Sequence, residues 1–87
     1  MKELVMAILE KSKIEDVPID IAFDMLSIDE NKDDLKIAYE ILDKYYVAIT
    51  ALRRIGRTAE IDIIIQMAED GADVKSYIED LKKIGII

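Results

Sequence analysis

Two segments of the chain are similar to each other, and this internal similarity limits the folds that the chain can adopt. Residues 18–25 (PIDIAFDM) align with residues 60–67 (EIDIIIQM), and residues 34–44 (DLKIAYEILDK) align with residues 73–83 (DVKSYIEDLKK). Nine of these nineteen aligned positions are identical. A unit that recurs in this way predicts a fold in which a helical unit packs against its own copy. The identical pairs are Ile19/Ile61, Asp20/Asp62, Ile21/Ile63, Met25/Met67, Asp34/Asp73, Lys36/Lys75, Glu40/Glu79, Leu42/Leu81 and Lys44/Lys83.

Apolar residues at helical spacing predict five helices and no strand. We expect the first helix over about residues 2–12 and the second over about 16–27, with Asp16 as its N-cap and Pro18 in its first turn. The third helix is expected to run unbroken over about residues 34–55, because nothing there interrupts the pattern. Such a helix would be about 35 Å long.

Residues typical of helix ends mark the rest of the chain. Gly56 is expected to end the long helix in a left-handed conformation, and Gly85 is expected to end the last helix. Thr58 and Asp73 are expected to cap the fourth and fifth helices, and the fourth would end near Gly71. Each of these helices thus has a predicted start and a predicted end.

The predicted long helix carries a broad apolar face. Its second row of apolar residues, which includes Ile37 and Ile41, widens the face beyond what a single partner helix covers. Tyr46 points about 100° away from Tyr45 on a helix, so one ring is expected in the core and the other at a boundary. We expect Ile37, Ile41 and Tyr46 to form an interface. The main stripe consists of Leu35, Ala38, Leu42, Tyr45, Ile49 and Leu52.

These patterns predict an all-α fold, a five-helix bundle made of two related three-helix units that share the long central helix. The chain is expected to form a single domain over residues 1–87, with copies over about 5–46 and 48–87. In repeat length and helicity the units resemble armadillo-like and HEAT-like repeats. That resemblance implies that hydrophobic burial between stacked units stabilises the fold.

Composition limits the chemistry that the chain can perform. The chain has no Cys and no His, which excludes thiol chemistry, imidazole bases and the common zinc and haem ligand sets. We therefore expect no enzymatic activity and no cofactor. A net charge of −7 repels phosphate backbones and anionic lipid, so neither a nucleic acid nor a membrane is an expected partner.

The first residues and the amide content bear on location and source. The apolar run after Met1 is broken by Glu10 and is too brief for a secretory segment or a membrane span, so we expect a cytoplasmic protein. Asn and Gln occur once each, while Lys and Glu are abundant. Depletion of thermolabile side chains fits a thermophile, and an AT-rich genome would also favour Lys.

Two carboxylate patterns are candidates for ion binding or catalysis. Asp29, Asn31, Asp33 and Glu40 match four positions of a calcium-binding loop, but Asp34 stands where the loop requires Gly. The interpretation that we favour is a group of residues that caps the third helix. The paired Asp20 and Asp62 occupy the first turns of equivalent helices, where an acidic residue ordinarily complements the helix dipole.

All three arginines of the chain, Arg53, Arg54 and Arg57, lie together at the end of the long helix. Concentrated guanidinium groups bind phosphate or carboxylate in bidentate fashion, so this cluster is the candidate contact for an anion or a partner. The alternative is structural, because cations at a helix C-terminus complement its dipole and Glu60 is close in sequence.

The tail, residues 74–87 (VKSYIEDLKKIGII), resembles the recognition helix and following turn of winged helix-turn-helix proteins. That resemblance implies a DNA-binding role. However, the segment carries Glu79 and Asp80 beside its lysines, and the whole chain is acidic. A transcription accessory is therefore an alternative rather than the expected function.

An apolar fraction of 52% is slightly more than one small domain buries, and the surplus favours self-association. We expect a small acidic protein–protein interaction or assembly module that forms a homodimer or binds a protein partner. The main alternative is a small-ligand binder or helical enzyme that uses Arg53, Arg54 and Arg57.

Overall fold

The computed structural model of the chain describes residues 1–28 and 31–87, and the regular secondary structure within these ranges is entirely α-helical. The all-α prediction is confirmed, with six helices in the described residues where five were predicted. No membrane-spanning candidate occurs among these helices, since none combines the required length with the required apolarity. The helices are α1 (Lys2–Glu15), α2 (Ile19–Leu26), α3 (Lys32–Lys44), α4 (Tyr46–Arg54), α5 (Thr58–Glu69) and α6 (Val74–Lys83).

The prediction of one unbroken helix over residues 34–55 is wrong, because the helix is divided into α3 and α4 at Tyr45. Tyr45 has φ −115° and ψ 29°, outside the helical region, although its carbonyl accepts a hydrogen bond from the Ile49 amide at 2.9 Å. No Pro or Gly marks this point. Tyr45, Tyr46 and Val47 are instead three successive weak helix formers, each about 0.5 kcal/mol less favourable than Ala.

The chain divides into two compact units, which we call unit one (residues 1–44) and unit two (residues 45–87). In unit one, α1, α2 and α3 all pack against one another. In unit two, α5 packs against both α4 and α6. Each unit thus contains three helices, and the predicted duplication over 5–46 and 48–87 stays a prediction.

Each unit has an apolar core whose members follow the predicted helical spacing. Three aligned positions are buried in both units: Ala22 and Ile64, Leu35 and Val74, and Leu42 and Leu81. No polar side chain is buried among the described residues. Burial of a large apolar side chain contributes about 1.5–3 kcal/mol. The other buried residues are Val5, Ile8, Leu9, Ala38 and Ile41 in unit one, and Ala48, Ile49, Leu52, Ile61 and Ile65 in unit two.

The connection between α1 and α2 differs from the prediction. Asp16 does not cap α2; it ends α1 in the left-handed conformation, with φ 53° and ψ 50°. The Asp16 amide donates to the Lys13 carbonyl, and the next amide donates to the Ser12 carbonyl at 3.0 Å. This is a Schellman arrangement, which Gly most often completes. Pro18 lies just before the first residue of α2 rather than within it.

Gly56 completes the same arrangement at the end of α4, as predicted, with φ 77°. The Gly56 amide donates to the Arg53 carbonyl at 3.1 Å, and the Arg57 amide donates to the Leu52 carbonyl at 2.9 Å. Asp16 and Gly56 therefore hold equivalent places before the second helix of each unit.

Of the two predicted caps of the last two helices, Asp73 is confirmed and Thr58 is wrong. Asp73 caps α6, because its carboxylate accepts hydrogen bonds from the Ser76 amide at 3.1 Å and the Ser76 hydroxyl at 2.7 Å. Thr58 is instead the first residue of α5, and the preceding Arg57 makes no side-chain cap. Gly85 ends α6 with φ 81°, as predicted.

Candidate functional site

A groove of about 380 Å³ lies in unit one and is lined by residues of α2 and α3. Its base contains two aromatic side chains, Phe23 from α2 and Tyr39 from α3. Their ring centroids are 5.2 Å apart and their planes are inclined by 55°, which is a favourable aromatic contact. The remaining lining residues are charged: Asp20, Asp24, Lys32, Lys36 and Glu40.

The charged residues of the groove follow the turns of the two helices. On α2, Asp20 and Asp24 are four residues apart and therefore share a face. On α3, Lys32, Lys36 and Glu40 recur at the same interval. Three carboxylates and two ammonium groups leave the lining with one net negative charge.

The pKa of Tyr39 is affected by burial and by nearby carboxylates. Its pKa is raised above the ordinary value, first because burial disfavours the phenolate and then because Asp43, Asp20 and Asp24 repel it.

This groove was not predicted from the sequence, although several of its residues were noted for other reasons. Asp20 is predicted there as half of a carboxylate pair, and Glu40 as part of the calcium-loop pattern. Differences between the two aligned segments could have pointed to the groove. At the positions of Phe23, Asp24 and Tyr39, unit two carries Ile65, Gln66 and Ile78.

A row of exposed apolar side chains follows another face of α2. Ile21 is 41% exposed, Met25 is 38% exposed, and Ile28 just beyond the helix is largely exposed. We call Ile21, Met25 and Ile28 the α2 apolar row; Ile21 and Met25 are four residues apart and share a face of the helix, and Ile28 follows the helix end. The aligned Ile63 of α5 is similarly exposed, at 43%, and Met67 is half-buried.

The residues predicted to form an interface are not equally accessible. Ile37 and Tyr46 are exposed, whereas Ile41 is 8% exposed and belongs to the core. Of these three side chains, Ile37 and Tyr46 are therefore the ones with accessible surface.

The arginine cluster lies at the end of α4 and the start of α5. Arg53 and Arg54 belong to the last turn of α4, and Arg57 precedes α5. Arg54 and Arg57 are exposed. The Arg57 guanidinium lies 3.5 Å from the Glu60 carboxylate, in a pair separated by three residues. This arrangement agrees with the dipole-complementing interpretation as well as with a solvated contact surface.

The other carboxylate patterns are spread over the surface. Asp29 of the calcium-loop pattern lies outside the described residues. Asn31 accepts hydrogen bonds from the amides of Asp33 and Asp34, at 3.0 and 3.3 Å, which is a capping role at the start of α3. In residues 1–28 and 31–87, no group of three or more Asp and Glu residues is arranged to hold a metal ion.

Comparison with protein-family models, with curated proteins and with solved structures gives no match to this chain. The function is therefore argued from the geometry of the described surfaces alone.

Proposed function

We propose that this protein is a small interaction module that associates with a second copy of itself through apolar side chains. The observation that supports the proposal is the exposure of the same residue at aligned positions of both units. Ile21 and Ile63 are 41% and 43% exposed, and each is followed four residues later by Met. The exposed fraction of each isoleucine has no packing partner within its unit, and a second copy would cover it.

The α2 apolar row has the dimensions of a helix contact. Ile21 and Met25 lie about one turn, or roughly 6 Å, apart on one face of α2, and Ile28 is exposed just beyond the helix end. Burying exposed isoleucine surface is favourable by about 25 cal/mol per Å² of apolar area. Met25 adds a flexible side chain that fits against uneven surfaces. A contact built on this row would therefore be apolar and adaptable.

Electrostatics limits the strength of self-association. Each copy carries a net charge of −7, so two copies repel each other at long range. The exposed arginines Arg54 and Arg57 offer one place where an acidic surface of the second copy would be accepted. We expect a reversible dimer with a dissociation constant in about the micromolar range.

The test is sedimentation analysis of wild type and of a double variant, Ile21→Gln with Met25→Gln. Glutamine keeps helix propensity and adds no charge, so the variant removes apolar contact surface alone. We expect the wild type to dimerise as concentration rises and the variant to need at least about tenfold more protein.

A matched control carries the same change elsewhere. Ile14 and Ile84 are also exposed isoleucines, and they lie outside the α2 apolar row. Ile14→Gln with Ile84→Gln should leave dimerisation within about twofold of wild type. A wild type that stays monomeric at about 0.1 mM, or an unchanged α2 variant, would refute the proposal.

Two alternatives carry less support. A ligand binder or helical enzyme built on Arg53, Arg54 and Arg57 would need these side chains in an enclosed site, whereas Arg54 and Arg57 are exposed. A helix-turn-helix-like transcription accessory would need a basic face, and the net charge of −7 disfavours it.

A further inference from the structure

We infer that the groove between α2 and α3 binds a small organic cation, an ammonium group carried on an apolar aromatic or alkyl body. This site is separate from the α2 apolar row: the groove uses Phe23, Asp20 and Asp24, while Ile21 and Met25 lie on another face of the helix. The inference is therefore independent of self-association.

The charges of the groove select a cation. Lys36 and Glu40 are four residues apart on α3, where opposite charges attract each other, and Lys32 also lines the groove, so negative charge exceeds positive charge there by one. Asp20 and Asp24 are on α2, and no ion pair of either carboxylate is found among the described residues. A bound ammonium group would supply the missing positive charge and donate hydrogen bonds to the two carboxylates.

The aromatic pair selects the body of the ligand. Phe23 and Tyr39 both line the groove, and aromatic rings attract cations through their quadrupoles and offer apolar surface to an attached chain or ring. A volume of about 380 Å³ lies within the ordinary range of small-molecule sites, although near its lower end. A compact amine fits this space better than a large cofactor.

Unit two provides an internal comparison. The alignment keeps Asp20, Lys36 and Glu40 as Asp62, Lys75 and Glu79. It replaces the aromatic pair and Asp24 by two isoleucines and a glutamine. Phe23, Asp24 and Tyr39 are therefore specific to unit one, whereas the Asp20 carboxylate has a counterpart in unit two.

The experiment is a titration of the full chain followed by amide chemical shifts in two-dimensional NMR, at one fixed protein concentration. The probe is phenethylamine. Its matched controls are 2-phenylethanol, which is neutral, and 3-phenylpropionate, which is an anion. We expect saturable shifts at amides of α2 and α3 with phenethylamine, and a dissociation constant of about 1–10 mM for so small a ligand. The two controls should bind at least about fivefold more weakly.

Substitutions at Asp24 and Tyr39 separate the contributions of charge and ring. Asp24 is exposed, so Asp24→Asn should leave the fold intact and weaken phenethylamine binding at least about threefold. Tyr39→Phe should retain binding, because it keeps the ring, while Tyr39→Leu should weaken it by a similar factor. Glu69→Gln, which removes one negative charge from α5, should have no effect.

Several results would overturn the inference. One is the absence of saturable shifts up to about 20 mM phenethylamine. Another is equal binding of the amine and the alcohol, which would indicate a merely apolar cleft. Equal loss of binding in Asp24→Asn and Glu69→Gln would assign the effect to overall charge rather than to the groove.

Discussion

At the scale of single residues, the ends of the helices follow simple backbone chemistry with one exception. Gly56, Gly71 and Gly85 all adopt positive φ at helix ends, and Asp16 is the non-glycine residue that does so among the described residues. Residues other than Gly are strained at positive φ, and Asp and Asn are strained less than most. Asp16 also places a negative charge at the C-terminus of α1, where the helix dipole disfavours it.

We predict that Asp16→Gly stabilises the protein by about 0.5–1 kcal/mol, because it relieves backbone strain and removes an unfavourable charge. Urea denaturation followed by circular dichroism measures the change. Asp16→Asn separates the two causes, since it removes the charge and keeps a side chain that tolerates this conformation. Gly56→Ala is the converse test and should destabilise by about 1 kcal/mol. An Asp16→Gly variant that is less stable than wild type would contradict this account.

Asp73 gives a prediction with a pH dependence. Its pKa is lowered chiefly because its carboxylate accepts the Ser76 hydroxyl, and further because it accepts the Ser76 amide. A lowered pKa means that the stabilisation is present above the ordinary pKa of the carboxyl group and is lost as pH falls through the folded-state pKa.

We therefore predict that Asp73→Ala lowers the melting temperature by about 4–8 °C at neutral pH. The difference from wild type should shrink as the pH is lowered from about 5 to about 2. Asp73→Asn keeps an acceptor for the amide and serves as the uncharged control. A difference between wild type and Asp73→Ala that is the same at both ends of this range would rule out the ionised cap.

At the scale of helices, the sequence was sufficient where apolar spacing and end residues agree. It correctly predicted the start of α1, the extent of α5 to within a few residues, and the cap of α6. It missed the division at Tyr45, because the apolar stripe continues through that point from Leu42 to Ile49. Periodicity reports which face is buried, and it does not register a single residue that leaves the helical region.

The end of α4 permits a comparison between two helices of the same chain. Arg53 and Arg54 occupy the last turn of α4, as Lys82 and Lys83 do in α6. If the arginines only complement the helix dipole, Arg53→Gln with Arg54→Gln should lower the free energy of unfolding by about 0.3–1 kcal/mol per residue. Lys82→Gln with Lys83→Gln should lower it by about the same amount. Urea denaturation measures both.

The same variants test the arginine cluster as an anion contact. With dipole complementation alone, added phosphate should raise the melting temperature of wild type and of both double variants equally. A phosphate response that disappears in the arginine variant and persists in the lysine variant would show that the cluster binds anions.

At the scale of the whole molecule, charge and apolar surface have opposite effects on association. We predict that raising the NaCl concentration from about 0.02 M to about 0.5 M tightens self-association severalfold, because salt screens repulsion between copies that each carry −7. Sedimentation at several salt concentrations measures this. The Ile21→Gln/Met25→Gln variant should show little response. Salt that weakens association would indicate a contact held by ion pairs instead.

The groove and the α2 apolar row show the limit of prediction at this scale. Asp24 and Lys36 are far apart in sequence, and their common position depends on how α2 packs against α3. Apolar spacing assigned Ile41 to an interface, yet the packing of α3 buries it. Fold class needs local patterns only, whereas a site needs the relative placement of helices that one sequence does not provide.

The extensive helix contacts described above join partners within the same unit, and this has a kinetic consequence. When contacting residues are close along the chain, little loop entropy is lost before native packing begins to compensate for it. Helical proteins of this kind acquire their native structure in about microseconds to milliseconds. A newly synthesised copy would thus expose the isoleucines of its cores only briefly, which limits the time available for aggregation through them.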